Sequence, residues 1–191
     1  QFVAGEYRAA KTTLKKAIGR NGKYRNQFPM ELSYLYRASG RIAEHLGETD
    51  EYRLRLLDMR DTLRSNFPAD DARVLSAQLE IADSRVKLGY PDNALDIYAD
   101  VEKAALAVGQ NQIATLAKLR ANLLIYAIGE NERYQPDMKR ARAALAEMVK
   151  RPLPGSDDFS LIAEVALARI DRREGRGDST DAIMRRVLSR G

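Results

Sequence analysis

Only one histidine, His45, is available in the sequence for acid–base chemistry near neutral pH, and there is no cysteine. A catalytic triad would have to depend on His45, and a metal site would have to be built almost entirely from carboxylates. A solvated or hydrogen-bonded helix residue is a simpler interpretation of a lone histidine. We therefore expect no metal and no cofactor to be bound by this chain.

Two pairs of carboxylates and two glycine-containing segments are the other features that could do chemistry. Asp70/Asp71 and Asp157/Asp158 stand where helices are predicted to begin, and negative charge is favourable there because of the helix dipole. The segments 19–22 and 175–177 follow no strand, so they lack the context of a nucleotide-binding loop. The sequence predicts a protein that is not an enzyme.

Composition favours a helical protein. Of 191 residues, 45% are hydrophobic, which is enough for a core, while 31% are charged and only 7% aromatic, which favours helices over sheets. The longest apolar run, 123–128, is far shorter than the roughly 20 residues of a membrane-spanning helix. No signal peptide is visible, so we expect a soluble protein, cytoplasmic rather than exported. The chain begins with Gln1, however, and an upstream segment is expected.

A pattern of glycine, small and bulky residues recurs along the chain. Gly5 is followed by Ala10, Leu14 and Ala17, at offsets of five, four and three residues. The same offsets recur, the last time weakly, at three further places: Gly47, Tyr52, Leu56 and Met59; Gly89, Ala94, Tyr98 and Val101; Gly177, Ala182, Arg186 and Ser189. Each glycine is predicted to end a helix in the left-handed conformation, and the small residue lets the next helix pack closely.

The first helix of each pair carries its own small residue, seven positions before the glycine. Gly40 precedes Gly47 and Ala82 precedes Gly89 at this distance. Small side chains at these points predict a close crossing of the two helices.

This pattern resembles the second helix of tetratricopeptide repeats (TPRs). The anchor positions Ala10, Tyr52, Ala94, Ala141 and Ala182 are separated by 42, 42, 47 and 41 residues. The usual TPR repeat has about 34 residues, so each unit here has about one extra turn per helix. Such long repeats are similar to those of kinesin light chains and of several bacterial signalling regulators. The resemblance implies an all-α fold, a right-handed α-solenoid of stacked antiparallel helix pairs.

The predicted layout is a single repeat domain over residues 1–191. The segment 1–19 contains a lone helix from about residue 4, with Phe2 and Val3 as the last turn of a preceding helix, and pairs cover 30–67, 70–108, 110–150 and 157–190. Thr49, Asp70, Ser156 and Ser179 are candidate N-caps, Pro91 suits a first helical position, and residues 130–135 form a protruding loop. The unpaired first helix and the missing final cap predict a fragment of a longer protein.

The TPR resemblance implies that first helices line a concave binding surface. Its positions fall on Tyr34, Arg37, Arg41 and His45 in one unit, on Asp83 and Lys87 in the next, and on an apolar strip that includes Leu119, Leu123 and Tyr126. Arg37 and Arg41 lie one turn apart, so together they could bind a carboxylate. Alternatively they pair with acids of a neighbouring helix, and the leucines belong to the core.

The function favoured by this sequence is a scaffold or adaptor that binds a protein or peptide, with an acidic segment of that partner as the expected contact. A second hypothesis is the ligand- or peptide-sensing domain of a larger bacterial signalling protein. The third, a nucleic-acid-binding solenoid, rests on two groups of basic residues: Lys15, Lys16, Arg20, Lys23 and Arg25, and Arg169, Arg172, Arg173 and Arg176. We interpret both groups as solvated faces, because aromatic residues are few and acids lie among the arginines of the second group.

Overall fold

Helices joined by short turns make up the structure, a computed structural model that describes residues 2–129, 135–155, 157–175 and 185. No strand occurs among these residues. In chain order the helices are α1 (Phe2–Asn21), α2 (Pro29–His45), α3 (Thr49–Arg64), α4 (Ala72–Lys87), α5 (Pro91–Ala107), α6 (Asn111–Ile128), α7 (Gln135–Lys150) and α8 (Asp157–Arg173), with a short 3-10 turn at Gly22–Tyr24 after α1. The all-α prediction is confirmed.

The helices form two compact units, residues 1–90 and 91–191. In the first unit, α1 packs on α2, α2 on α3, and α3 on α4. In the second, α5 packs on α6, α6 on α7 and α8, and α7 on α8. The single-domain layout over 1–191 stays a prediction. The part of its last helix pair beyond residue 175, apart from residue 185, lies outside the described residues, as do Ser156, Ser179 and residues 130–134 of the predicted 130–135 loop. The last residue of that loop, Gln135, is the first residue of α7.

Glycines in the left-handed conformation end the helices where the sequence predicts it. Gly47 has a φ of +73° after α2, and Gly89 has a φ of +79° after α4. At the first of these ends the Gly47 N–H donates to the Glu44 carbonyl (3.0 Å) and the Glu48 N–H to the Ala43 carbonyl (2.8 Å). These bonds satisfy carbonyls that have no partner inside the helix.

Gly5 is different, and the prediction that it ends a helix is wrong. It lies inside α1, which begins at Phe2, so Phe2 and Val3 belong to α1 and not to a preceding helix. A single glycine costs a helix only about 1 kcal/mol relative to alanine. The residues around it are compatible with helix, so the helix continues through the glycine.

Repeat positions form much of the core. Tyr52, Leu56 and Met59 of α3 are buried, and so are Ala94, Tyr98 and Val101 of α5. The corresponding residues of the repeat pattern in α1, Ala10, Leu14 and Ala17, are only partly buried. At Gly40 the predicted close crossing is present, because a Cβ there would lie 3.4 Å from the Arg55 Cβ and 3.6 Å from the Tyr52 ring. The small residue thus allows α2 to approach α3.

Two predicted N-caps need correction, while Pro91 is confirmed as the first residue of α5. Thr49 is the first residue of α3, and the residue before it, Glu48, makes no side-chain capping bond. The cap of α4 is Asp71 and not Asp70: the Arg73 N–H donates to the Asp71 Oδ1 at 2.9 Å. The Arg73 guanidinium also donates to both Asp71 oxygens, at 2.7 and 2.6 Å.

We expect Asp71→Ala to lower the free energy of unfolding by about 1 kcal/mol, because α4 loses its cap. Asp71→Asn keeps a capping oxygen and should cost less. The hydrogen bonds from Arg73 hold the pKa of Asp71 below its ordinary value. The difference between wild type and Asp71→Ala should therefore be complete above about pH 4 and disappear as the pH falls through the lower folded-state pKa. Urea unfolding at several pH values measures it, and a difference that grows in acid would contradict this account.

Candidate peptide-binding surface of the first unit

Tyr34, Arg37, Arg41 and His45 follow one another at three- and four-residue spacing on α2, and therefore share one face of that helix. The opposite side of α2 is fixed in the core by Leu32, Ser39, Gly40 and Ala43. Tyr34 is 56% exposed, which is unusual for so large an aromatic side chain. The face that carries the four predicted residues is thus held in place by buried neighbours while remaining accessible.

Arg37 is tied to α4. Its guanidinium forms an ion pair with Glu80, and its Nε is buried without a hydrogen-bond partner. Burial, together with the nearby charge of Arg41, lowers the pKa of Arg37 from its ordinary value, which is so high that the side chain stays charged. For Arg37, therefore, the alternative prediction is the correct one: it pairs with an acid of another helix.

Arg41 is in a different situation. It is exposed, and within the described part of the chain no carboxylate lies within salt-bridge distance of its guanidinium. The acids next to it are already engaged: Glu80 by Arg37, and Glu44 by Lys87 of α4. Arg41 therefore presents a guanidinium that is not held in a salt bridge by any described residue.

Arg41 stands at the edge of a polar cavity of about 300 Å³ between α2, α3 and α4. The other lining residues are Glu44, His45, Tyr52, Leu56, Glu80, Asp83 and Lys87. The Lys87 ammonium lies 5.7 Å from the centre of the Tyr52 ring, and its bond with Glu44 raises the pKa of Lys87. Burial raises the pKa of the Tyr52 hydroxyl, so that group remains a neutral hydrogen-bonding partner.

A second cavity, of about 270 Å³, adjoins the same helices nearer the beginning of α2. It is walled mainly by apolar groups and has Tyr34 and Arg37 on its lining, together with Met30, Ser33, Met59, Leu63, Ala72, Arg73, Ser76 and Ala77. Arg37 borders this cavity while its partner Glu80 borders the polar one. The α2–α4 surface, as we call the two cavities and the residues around them, therefore has an apolar part and a charged part.

His45 contacts α1. Its ring stacks on Tyr7 with centroids 4.9 Å apart and an angle of 10° between the ring planes. His45 also borders the polar cavity. This contact gives the histidine a structural role in joining α1 to α2.

The other predicted residues lie in the second unit and contribute to its core. Leu119 is 2% exposed, in a cluster with Leu145, Met148, Ala163, Ala166 and Ile170. Leu123 and Tyr126 are half-buried against the same cluster. For Leu119 the alternative prediction, that the strip belongs to the core, is the correct one. We do not include Leu119, Leu123 and Tyr126 in the candidate site.

Among the described residues, no group of three or more potential ligands is arranged to hold a metal ion. None of the helices in the described ranges is long and apolar enough to cross a membrane.

Comparison with known proteins gives a likeness in structure only. No family model matches the sequence, and no curated protein matches it. Among solved structures, BtubC (BKLC) from P. vanneervenii is 15% identical over 97% of this chain and 73% of its own, with a TM-score of 0.71. Two structures of a putative kinesin light chain with nearly identical TPR-like repeats, from Podosopora anserina, are each 14% identical over 97% of this chain. They are covered over 86% and 87% of their length, with TM-scores of 0.69 and 0.67.

The chain has a TPR-like fold. At 14–15% identity the likeness concerns the fold alone, and the repeat length of about 42 residues stays a prediction. The TPR resemblance indicated the candidate residues on α2. It did not indicate Met30, which lines the apolar cavity, or Glu80, which pairs with Arg37. The available signal for Glu80 was its helical spacing on α4 from Asp83 and Lys87. Nothing in the sequence showed which of them would meet Arg37.

Proposed function

We propose that the α2–α4 surface binds a peptide segment of another protein, with Arg41 contacting a carboxylate and the apolar cavity accepting a large side chain. TPR-like folds are typically non-catalytic scaffolds for protein interactions. The observation that supports this particular surface is the guanidinium of Arg41, which is exposed at the polar cavity without a salt-bridge partner among the described residues, while the same helix borders the apolar cavity through Tyr34.

The lack of a salt-bridge partner for Arg41 supports an acidic partner. Arg37 and Lys87 are neutralised by Glu80 and Glu44, and Asp83 is likewise engaged. The lining of the polar cavity is not net positive, since Arg41 and Lys87 stand beside three acids, but Arg41 has no carboxylate within salt-bridge distance among the described residues. Guanidinium groups bind carboxylates bidentately. The group that fits there is therefore the side chain of an Asp or Glu, or a C-terminal carboxylate.

The distance between Tyr34 and Arg41 predicts how far apart the two contacting residues of the peptide are. Tyr34 and Arg41 are seven residues apart on α2, which corresponds to about 10 Å along the helix axis. An extended peptide advances about 3.3 Å per residue, so it covers this distance in about three residues. The proposed partner therefore carries a large apolar side chain and a carboxylate about three positions apart.

Selection from a displayed library of random peptides tests the proposal. We expect the selected peptides to share this pair of residues, and Arg41→Glu to weaken their binding about tenfold, measured by fluorescence anisotropy, since a repulsive contact replaces an attractive one. The matched control is Arg64→Glu, which makes the same charge change at an exposed residue of α3. Circular dichroism would verify that both variants fold.

Equal losses in the two variants would show that only the net charge matters. Unchanged binding in Arg41→Glu would exclude the α2–α4 surface. Loss of binding in a double variant of Arg172 and Arg173, with Arg41→Glu unaffected, would place the peptide on the second unit.

A further inference from the structure

Basic residues are concentrated at the beginning of the chain. Between Glu6 and Glu31 there are seven Lys and Arg residues and no Asp or Glu: Arg8, Lys11, Lys15, Lys16, Arg20, Lys23 and Arg25. The whole chain has a net charge of +5, so the remaining residues together carry a net charge of −2. The positive charge of this protein is thus a local property of α1 and the turn that follows it.

These cations are mostly unpaired. Lys11 forms an ion pair with Glu48, but the other six have no carboxylate within 4.0 Å among the residues that the structure describes. Elsewhere, basic residues such as Arg55, Arg60 and Arg73 lie against acids. A group of like charges without internal counter-charges is repulsive by itself, and an anionic partner would relieve this repulsion.

The shape of the surface fits an extended anion. Arg8, Lys15, Lys16 and Arg20 are exposed on α1, and Arg8 and Arg20 are separated by about 18 Å along the axis. The exposed positions between them are small, as at Ala9, Thr12 and Gly19. A Cβ at Gly19 or at Gly22 would meet no atom within 4 Å, so a chain of phosphates could approach the helix closely.

Two exposed aromatic rings lie at the end of this surface. Tyr24 is 40% and Phe28 49% exposed, and their ring centroids are 6.5 Å apart in an edge-to-face arrangement. The Lys23 ammonium lies 5.0 Å from the centre of the Tyr24 ring. Exposed rings next to cations are the combination on which unpaired bases stack while their phosphates are neutralised.

We infer that the basic surface of α1 and the following turn (residues 8–28) binds single-stranded nucleic acid. Lys15, Lys16, Arg20 and Lys23 contact phosphates, and Phe28 stacks on a base. A membrane surface fits less well, because the other exposed side chains of α1 between residues 5 and 21 are polar or small and provide no apolar face to insert. This site lies on α1 and its turn, so it is separate from the proposed peptide contacts on α2 and α4.

The test uses a fluorescein-labelled, single-stranded DNA of mixed sequence, about 20 nucleotides long, with binding followed by anisotropy. Each phosphate contact contributes about 0.7 to the dependence of log Kd on log salt concentration. The four proposed contacts therefore predict a slope of roughly 3. The variant K15Q/K16Q/R20Q/K23Q should bind at least about tenfold more weakly and lose roughly 3 from this slope.

The control variant K103Q/K139Q/K150Q/R169Q removes the same charge from exposed positions elsewhere. Its binding should stay within about twofold of wild type, because it leaves the phosphate contacts intact. Phe28→Ala should weaken binding about fivefold or more with the salt slope unchanged, since stacking does not depend on counter-ions.

Several results would overturn the inference. Equal losses in the two quadruple variants would reduce it to non-specific attraction by net charge. A duplex of the same length that competes equally well, or an unaffected Phe28→Ala variant, would exclude the single-stranded ligand. Binding to phosphatidylserine vesicles without binding to DNA would assign the surface to membranes. Circular dichroism checks that each variant is folded.

Discussion

Replacing Ala94 with arginine is expected to lower the free energy of unfolding by about 3 to 4 kcal/mol. Ala94 lies on α5 and has no exposed surface. An arginine there would overpack the contact and carry a charge into the interior without a counter-charge. Urea unfolding followed by circular dichroism measures the change in stability.

Ala99→Arg is the matched control, since Ala99 is exposed on the same helix. It makes the same change in charge and volume, and we expect an effect within about 0.5 kcal/mol. An Ala94→Arg variant with the unfolding midpoint of wild type would show that Ala94 does not occupy the close-packed position of its repeat.

Leu145→Ala is expected to destabilise the second unit by about 3 kcal/mol. Leu145 of α7 is fully buried and lies in one cluster with Leu119 of α6 and Ile170 of α8. Three helices therefore meet around this side chain. Its removal leaves a cavity that the surrounding helices can only partly fill, so the lost burial and the cavity both contribute.

Leu106→Ala is the control for this truncation. Leu106 of α5 is 48% exposed, so the same loss of atoms should cost less than about 1 kcal/mol. The two variants can be compared in a single series of thermal melts. Equal shifts in the melting temperature would contradict the position of Leu145 at the centre of the cluster.

The periodic features of the fold could be predicted from the sequence because they are local. Gly47 and Gly89 end helices, and the buried residues of α3 and α5 fall at the repeated offsets. Gly5 shows the limit of this reasoning: a glycine can end a helix or lie inside one at a modest cost. Which of the two occurs depends on the neighbouring residues, and the offsets alone do not contain that information.

The candidate site was predictable in part for the same reason. Helical spacing alone places Tyr34, Arg37 and Arg41 on one face of α2. The partner of Arg37 depends on which residue of α4 comes opposite it, and this is set by the packing of both helices on α3. Likewise, the strip at Leu119 is apolar whether it is open or covered, and the positions of α7 and α8 decide that it is covered.

The packing of each helix on its neighbours in sequence has a kinetic consequence. Within each unit most contacts join consecutive helices, so only short stretches of chain must be closed to form them. The entropy lost in closing a loop rises with its length, and helical proteins with such local contacts fold in microseconds to milliseconds. Each unit should therefore reach its native packing quickly, starting from any adjacent pair of helices, without waiting for the distant end of the chain.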